Sequence, residues 1–133
     1  MGVSTPVLGF YDIPMWDAMN QGKFQLQACD DCGTWRYPPG PTCDKCLSSG
    51  YHWHDIGGEG VILSWVIFHR TYFDDFPAPY NAVAVRLDEG PIVITNLRGV
   101  APQGSWIDHR VQFVIGEHGG RHQHHVVLAG ALS

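Results

Sequence analysis

Cys29-Asp-Asp-Cys32-Gly33 and, with ten residues between Cys32 and Cys43, Cys43-Asp-Lys-Cys46 contain every cysteine of this 133-residue chain. Two C-x2-C pairs so close together form two tight knuckles that each deliver two thiolates to one ion. Gly33, directly after Cys32, suits the turn such a knuckle makes. Four cysteine ligands close the tetrahedron and leave no position for water, so the pattern predicts one structural zinc bound by Cys29, Cys32, Cys43 and Cys46. Two disulfides are the competing reading, and they belong to oxidising compartments. A redox role needs one C-x-x-C in a βαβ setting, which is absent here. Rubredoxin-type iron uses similar knuckles; the short intervening loop and lack of aromatic lining favour zinc.

Upstream of the cysteines, Asp12, Pro14 and Gly22 bracket a short helix as cap, first-turn residue and terminator. Ile13, Trp16 and Met19, three apart, predict its apolar face. Lys23 to Ala28 alternates polar and apolar and reads as a strand entering the first knuckle. Between the knuckles, Pro38-Pro39-Gly40-Pro41 forbids a helix and makes an extended connection.

Downstream the pattern changes. Tyr51–Ile56 alternates, Gly57-Gly58-Glu59-Gly60 interrupts, and Val61–His69 is a long apolar strand. The glycines before it read as a bulge that lets the strand bend. Tyr80–Leu87 and Pro91–Leu97 flank Asp88-Glu89-Gly90 as a hairpin. His109–Ile115 and His122–Leu128 complete about five strands with no helix between them, the pattern of a small barrel of OB-fold size. The expected fold is mainly β: an arm and helix over 1–22, a rubredoxin-like zinc ribbon over 23–50, and a five-stranded OB-fold barrel with its tail over 51–133. The ribbon and the barrel are expected to be two units rather than one core.

The chemistry of the rest is sparse. The three glutamates, Glu59, Glu89 and Glu117, sit beside glycines in turns, the ordinary place for solvated carboxylates. Asp74-Asp75 lies in an aromatic loop. No serine sits in a nucleophile-elbow pattern, and the cysteines are taken by metal. The residues therefore offer no catalytic set. His118, His122, His124 and His125 cluster near the end; on a strand, His122 and His124 share a face, too few ligands for a tight metal site without carboxylates. Tyr72, Phe73, Phe76 and Tyr80 read either as a loop folded on its own barrel or as a partner anchor.

Eight Lys and Arg against thirteen Asp and Glu give a net charge of −5. That balance argues against a nucleic-acid binder, although OB-folds often bind single strands. No apolar run approaches a membrane span, and the start MGVSTPVLGF lacks a secretory pattern, so a cytoplasmic chain is expected. Charged residues are only 16% of the chain, which suggests surface covered by a partner.

Several segments together carry a resemblance. They are Trp16-Asp-Ala-Met19 with Gly22-Lys-Phe24; Cys29-x2-Cys32-Gly33 through Tyr37-Pro-Pro39 to Cys43-x2-Cys46; Trp53; Gly58-Glu-Gly60-Val61 with Ser64-Trp65; and Pro79-Tyr80 with Val83–Gly90. The chain resembles the zinc-ribbon/OB-fold proteins that accompany thiolases, hydroxymethylglutaryl-CoA synthases, lipid-transfer-protein-like aldolases and MaoC-type hydratases. It departs from them at Gly40, where an arginine is usual. The resemblance implies a non-catalytic subunit of a thiolase-fold enzyme, in a heterotetramer of two copies each, with the ribbon near the acyl-CoA channel. A free-standing acyl-CoA binding module is the alternative. Arg36 and Tyr37 become candidates for touching CoA, and Trp35 joins the aromatic loop as a candidate partner contact.

Overall fold

The computed structural model describes residues 9–71, 77–118 and 121–129. Helix α1 spans Ile13–Asn20, with Pro14 in its first turn. Asp12 makes no side-chain cap; its Oδ2 accepts from Gly9 N at 3.1 Å. Gly22, at φ +80°, ends the helix and donates to Met19 O at 2.9 Å. The buried face is Met15, Ala18 and Met19, not Ile13, Trp16 and Met19. Ile13 lies about 200° around the helix from Met15 and stays 44% exposed.

Three short antiparallel strands carry the knuckles: β1 (Gln25–Cys29), β2 (Trp35–Arg36) and β3 (Tyr51–Asp55), in the order β2-β1-β3. Tyr51–Asp55, which the alternating pattern assigns to the barrel, is thus the third strand of the ribbon sheet. Gln25 lies opposite Asp55, and Cys29 opposite Tyr51. Hydrophobic alternation announces a strand without naming its partner, so the ribbon sheet takes its third strand from beyond residue 50.

The second sheet holds β4 (Glu59–Phe68), β5 (Tyr80–Leu87), β6 (Ile92–Thr95), β7 (Arg110–His118) and β8 (Arg121–Leu128), in the order β6-β5-β4-β7-β8. A parallel bridge between Leu97 and Val126 joins the two ends. Arg98 N donates to Val126 O, and Val126 N to Asn96 O, both at 2.9 Å. This seam makes the sheet an OB-type barrel. β4 pairs with β5 along its length and with β7 only over Glu59–Val61. Its register shift falls between Ile62 and Ser64, a few residues past the glycines where a bulge was expected. Gly60 serves close packing instead. A Cβ there would lie 2.3 Å from Arg86 O, so only glycine lets the strands approach this closely.

The two sheets share one core rather than two. Met15 and Met19 of α1, Phe24, and Leu26 of β1 join Ile62, Val85, Leu87, Val111 and Val126 of the barrel in one buried cluster. The helix packs on β8 and β1, so helix and ribbon supply apolar surface that the barrel would otherwise expose. Among the described residues, no helix is long and apolar enough to cross a membrane.

Candidate metal centre and the cleft beside it

The two knuckles have the same hydrogen bonding. Cys29 N donates to Thr34 O at 2.9 Å, and Cys43 N to Ser48 O at 2.9 Å. Gly33 N and Leu47 N return to the Cys29 and Cys43 carbonyls, each at 3.0 Å. All four Sγ atoms lie within 4.8 Å of one another. Cys29 Sγ is 3.6 Å from Cys46 Sγ, and Cys32 Sγ is 3.5 Å from Cys43 Sγ. A tetrahedral ion with Zn–S bonds of about 2.3 Å sets its sulfurs about 3.8 Å apart. The observed spacings match that geometry, and the cysteines are free rather than disulfide-bonded.

Electrostatics fit the same reading. The Cys32 backbone amide, opposed by burial and helped by the Asp31 amide, pulls the Cys29 thiol down to about 6. Amides of Cys46 and Lys45 lower Cys43 in the same way. Cys46 is drawn down by the Ser48 amide, but Cys29, burial and the other two thiols push it up to about 12. Four sulfurs this close repel as anions, and a divalent cation supplies the charge that lets all four ionise.

Arg36 behaves differently from the expectation. It is 4% exposed. Its Nη1 donates to Gly40 O at 3.3 Å, and its Nη2 to Ser48 O at 3.2 Å and Gly50 O at 3.0 Å. The guanidinium also lies 5.1 Å from the Tyr51 ring centroid. Arg36 is therefore a staple tying the inter-knuckle loop to the Ser48–Gly50 segment that leads into β3, with its guanidinium hydrogen bonds already directed at the protein. Its cross-strand partner Gln27, fully buried, works beside it and accepts from Gly40 N at 2.8 Å. Gln27 escapes a sequence reading because strand alternation assigns it to solvent, whereas both faces of β1 are covered from Leu26 to Cys29.

Between the ribbon and the β5–β6 turn lies an open cleft of ≈ 950 Å³. Trp35, Tyr37 and Lys45 line one side, and Glu89, Pro91 and Ile92 the other. Burial, with a contribution from the Asp12 charge, raises the Tyr37 hydroxyl above its ordinary pKa. Trp35 is half-buried and meets His54 edge-on at 6.1 Å. Tyr80 stacks on Phe68 at 4.9 Å, far along the β4–β5 hairpin from this cleft. Tyr72, Phe73 and Phe76, as well as Asp74 and Asp75, lie outside the described residues.

Among the described residues, the histidines form no group of three or more metal ligands. The His124 ring stacks on Phe24 at 5.4 Å, and its Nδ1 is 2.8 Å from Thr95 Oγ1. Burial, with the nearby His125, lowers it to about 4. His122 N donates to Asn20 Oδ1 at 3.4 Å. Among the described residues, the four cysteines are the one group of three or more ligands placed to share a metal ion.

Two family models divide the chain into the same two parts, with their boundary inside β3. That of the ChsH2 rubredoxin-like zinc ribbon domain matches residues 16–52, and that of the ChsH2 C-terminal OB-fold domain matches residues 53–116. The chain belongs to the ChsH2 zinc-ribbon/OB-fold family. With that membership and the tetrahedral sulfur spacing, the ribbon's metal is one structural zinc. A probable enoyl-CoA hydratase alpha subunit of Thermomonospora curvata is 36% identical over 92 residues, covering 68% of this chain and 29% of that protein. A DUF35 domain-containing scaffold protein of Pyrococcus furiosus is 29% identical over 68 residues, 50% of each chain. This ChsH2-family chain therefore spans half or less of these relatives' lengths. A solved structure entitled Ltp2-ChsH2(DUF35) aldolase contains a chain that superposes with a TM-score of 0.85 at 28% identity, covering 94% of this chain and 99% of its own.

Proposed function

We propose that this chain is a non-catalytic subunit of a thiolase-like acyl-CoA enzyme, stabilising its partner and helping to form the acyl-CoA channel. The observation that carries the reading is the near end-to-end superposition on a chain of an aldolase complex. The described residues support it: the four cysteine sulfurs are placed to close a structural metal site that leaves no position for water or substrate. The reaction then belongs to the partner, whether thiolysis, condensation or retro-aldol cleavage. A heterotetramer of two copies each follows from the two-fold symmetry usual for such enzymes. Reduced, metal-binding thiolates suit the cytoplasm. Trp35 and Tyr80, with Tyr72, Phe73 and Phe76, remain the aromatic candidates for partner contact.

Co-expression with a thiolase-fold protein from the same genome tests this. The expected result is co-elution and loss of the partner's activity or solubility when this chain is omitted. Separate elution with unchanged activity sinks the reading.

The cleft beside the ribbon favours a second reading, a free-standing acyl-CoA binding module. Tyr37 and Lys45 are its polar contacts there, since Arg36 is already engaged. Titrating the isolated chain with an acyl-CoA tests it calorimetrically; no heat above dilution removes it.

A further inference from the structure

The barrel's strands alternate between an inner and an outer face. Val83, Val85 and Leu87 of β5 are at most 1% exposed and point inward. Ala82, Ala84 and Arg86 therefore point outward. The register places Ala82 opposite Val66, Ala84 between Ser64 and Ile94, and Arg86 between Val61 and Ile92. An antiparallel barrel strand in contact with water ordinarily shows polar residues on this side. Here Ile94 is 61% exposed, Val66 52% and Ile92 48%. The two alanines form a low floor between the Ile92–Ile94 wall and Val66. The face is a shallow apolar trough that begins at the ribbon cleft, which Ile92 also lines.

Its charge is one-sided. Arg86 is exposed, and among the described residues no carboxylate stands on the trough between it and Val66. Glu59 and Asp88, beyond that end, belong to Arg110, which reaches Asp88 at 2.8 Å and Glu59 at 3.6 Å. Neither forms an ion pair with Arg86.

We propose that this outer face of β4, β5 and β6 is where the chain binds its enzyme partner, and that the partner presents an apolar ridge flanked by a carboxylate for Arg86. The proposal rests on the subunit reading above and adds the surface and its complement. A second copy of the chain fits poorly: an isologous contact sets the face against itself, burying two guanidinium groups with no carboxylate between them. An anionic bilayer fits poorly too, because the face offers one cation on a chain of net charge −5.

Ile94→Asp and Arg86→Glu test the proposal in complexes with the thiolase-fold protein, with Val100→Asp on the loop after β6 as control (Val100 is 75% exposed). Zinc content and melting temperature show that each variant is folded. Ile94→Asp is expected to raise Kd about 30-fold or more, and Arg86→Glu about 10-fold. Val100→Asp should leave Kd unchanged. Amide exchange of the wild-type chain should slow at Ile92–Thr95 on complex formation. If wild type binds and Ile94→Asp binds equally well, the face is wrong and the subunit reading stands. If wild type does not bind at all, both fail. A wild-type homodimer that Ile94→Asp converts to monomer, or Ile94-dependent retention on phosphatidylglycerol vesicles, also overturns the proposal.

Discussion

Gly33 and Leu47 occupy the same position in the two metal knuckles. Each donates its amide to the carbonyl of the cysteine four residues earlier at 3.0 Å, and each has left-handed backbone, at φ +76° and +63°. Glycine adopts that conformation freely; leucine is strained there. Leu47 is 77% exposed, so packing does not offset the strain.

Leu47→Gly is therefore expected to stabilise the protein by up to about 1 kcal/mol. Gly33→Ala should destabilise it by a similar amount, although a Cβ there meets nothing within 4 Å. Chemical denaturation of both variants with zinc bound checks the opposite signs.

Metal content should be one zinc per chain and should fall to none in Cys29→Ser/Cys43→Ser. Elemental analysis measures this directly. Because Leu26 and Cys29 lie on the same strand, and Leu26 belongs to the common core, chelation should also lower the unfolding midpoint of the barrel.

Arg36→Lys keeps the charge but cannot span three carbonyls. Losing the staple should cost about 2–3 kcal/mol and speed zinc release. Calorimetry and a chromogenic chelator measure the two effects. Unchanged stability with weakened acyl-CoA binding would return Arg36 to the role of phosphate ligand.

Gly60→Ala places a methyl group against the Arg86 carbonyl, where neither strand can yield without breaking register. The expected cost is about 3 kcal/mol or more. Failure to accumulate as folded protein, or a sharply lowered urea midpoint, is the readout.

His124 predicts an acid-sensitive barrel. The unfolded chain protonates it near 6.5, but the folded chain resists until about 4. Its contribution is thus complete above about pH 6.5, falls as pH drops toward 4, and is flat below that. The loss amounts to about 3 kcal/mol. Urea unfolding at several pH values should show this slope in wild type. It should be reduced in His124→Gln, and the difference between the two proteins removes any effect of acid on zinc.

The sequence discloses most where local chemistry is self-sufficient. Cysteine spacing fixes a metal tetrahedron without reference to the rest of the chain, so Cys29, Cys32, Cys43 and Cys46 are legible. Strands are legible from alternation, but their partners are not, which is why Tyr51–Asp55 pairs with β1 in the ribbon sheet. Arg36 and Gln27 read as surface residues because nothing local says that the Pro38–Pro41 loop will fold over them. His124 reads as a possible ligand because its burial depends on Phe24, about a hundred residues away. The trough around Ala84 is invisible for the same reason: it exists only once three strands are in register.

The seam between Leu97 and Val126 separates the molecule in time as well as in space. The knuckles close loops of a few residues, the cheapest closures a chain can make, so the ribbon can capture its metal early. The barrel waits for β8 to return to Leu97, and α1 waits for β8 as well, so its contacts span almost the full sequence. A newly made chain is therefore expected to load its metal before its barrel closes. In that interval Val85, Val111 and Phe113 are uncovered, and the presence of a partner or chaperone during synthesis should govern how much of the protein survives.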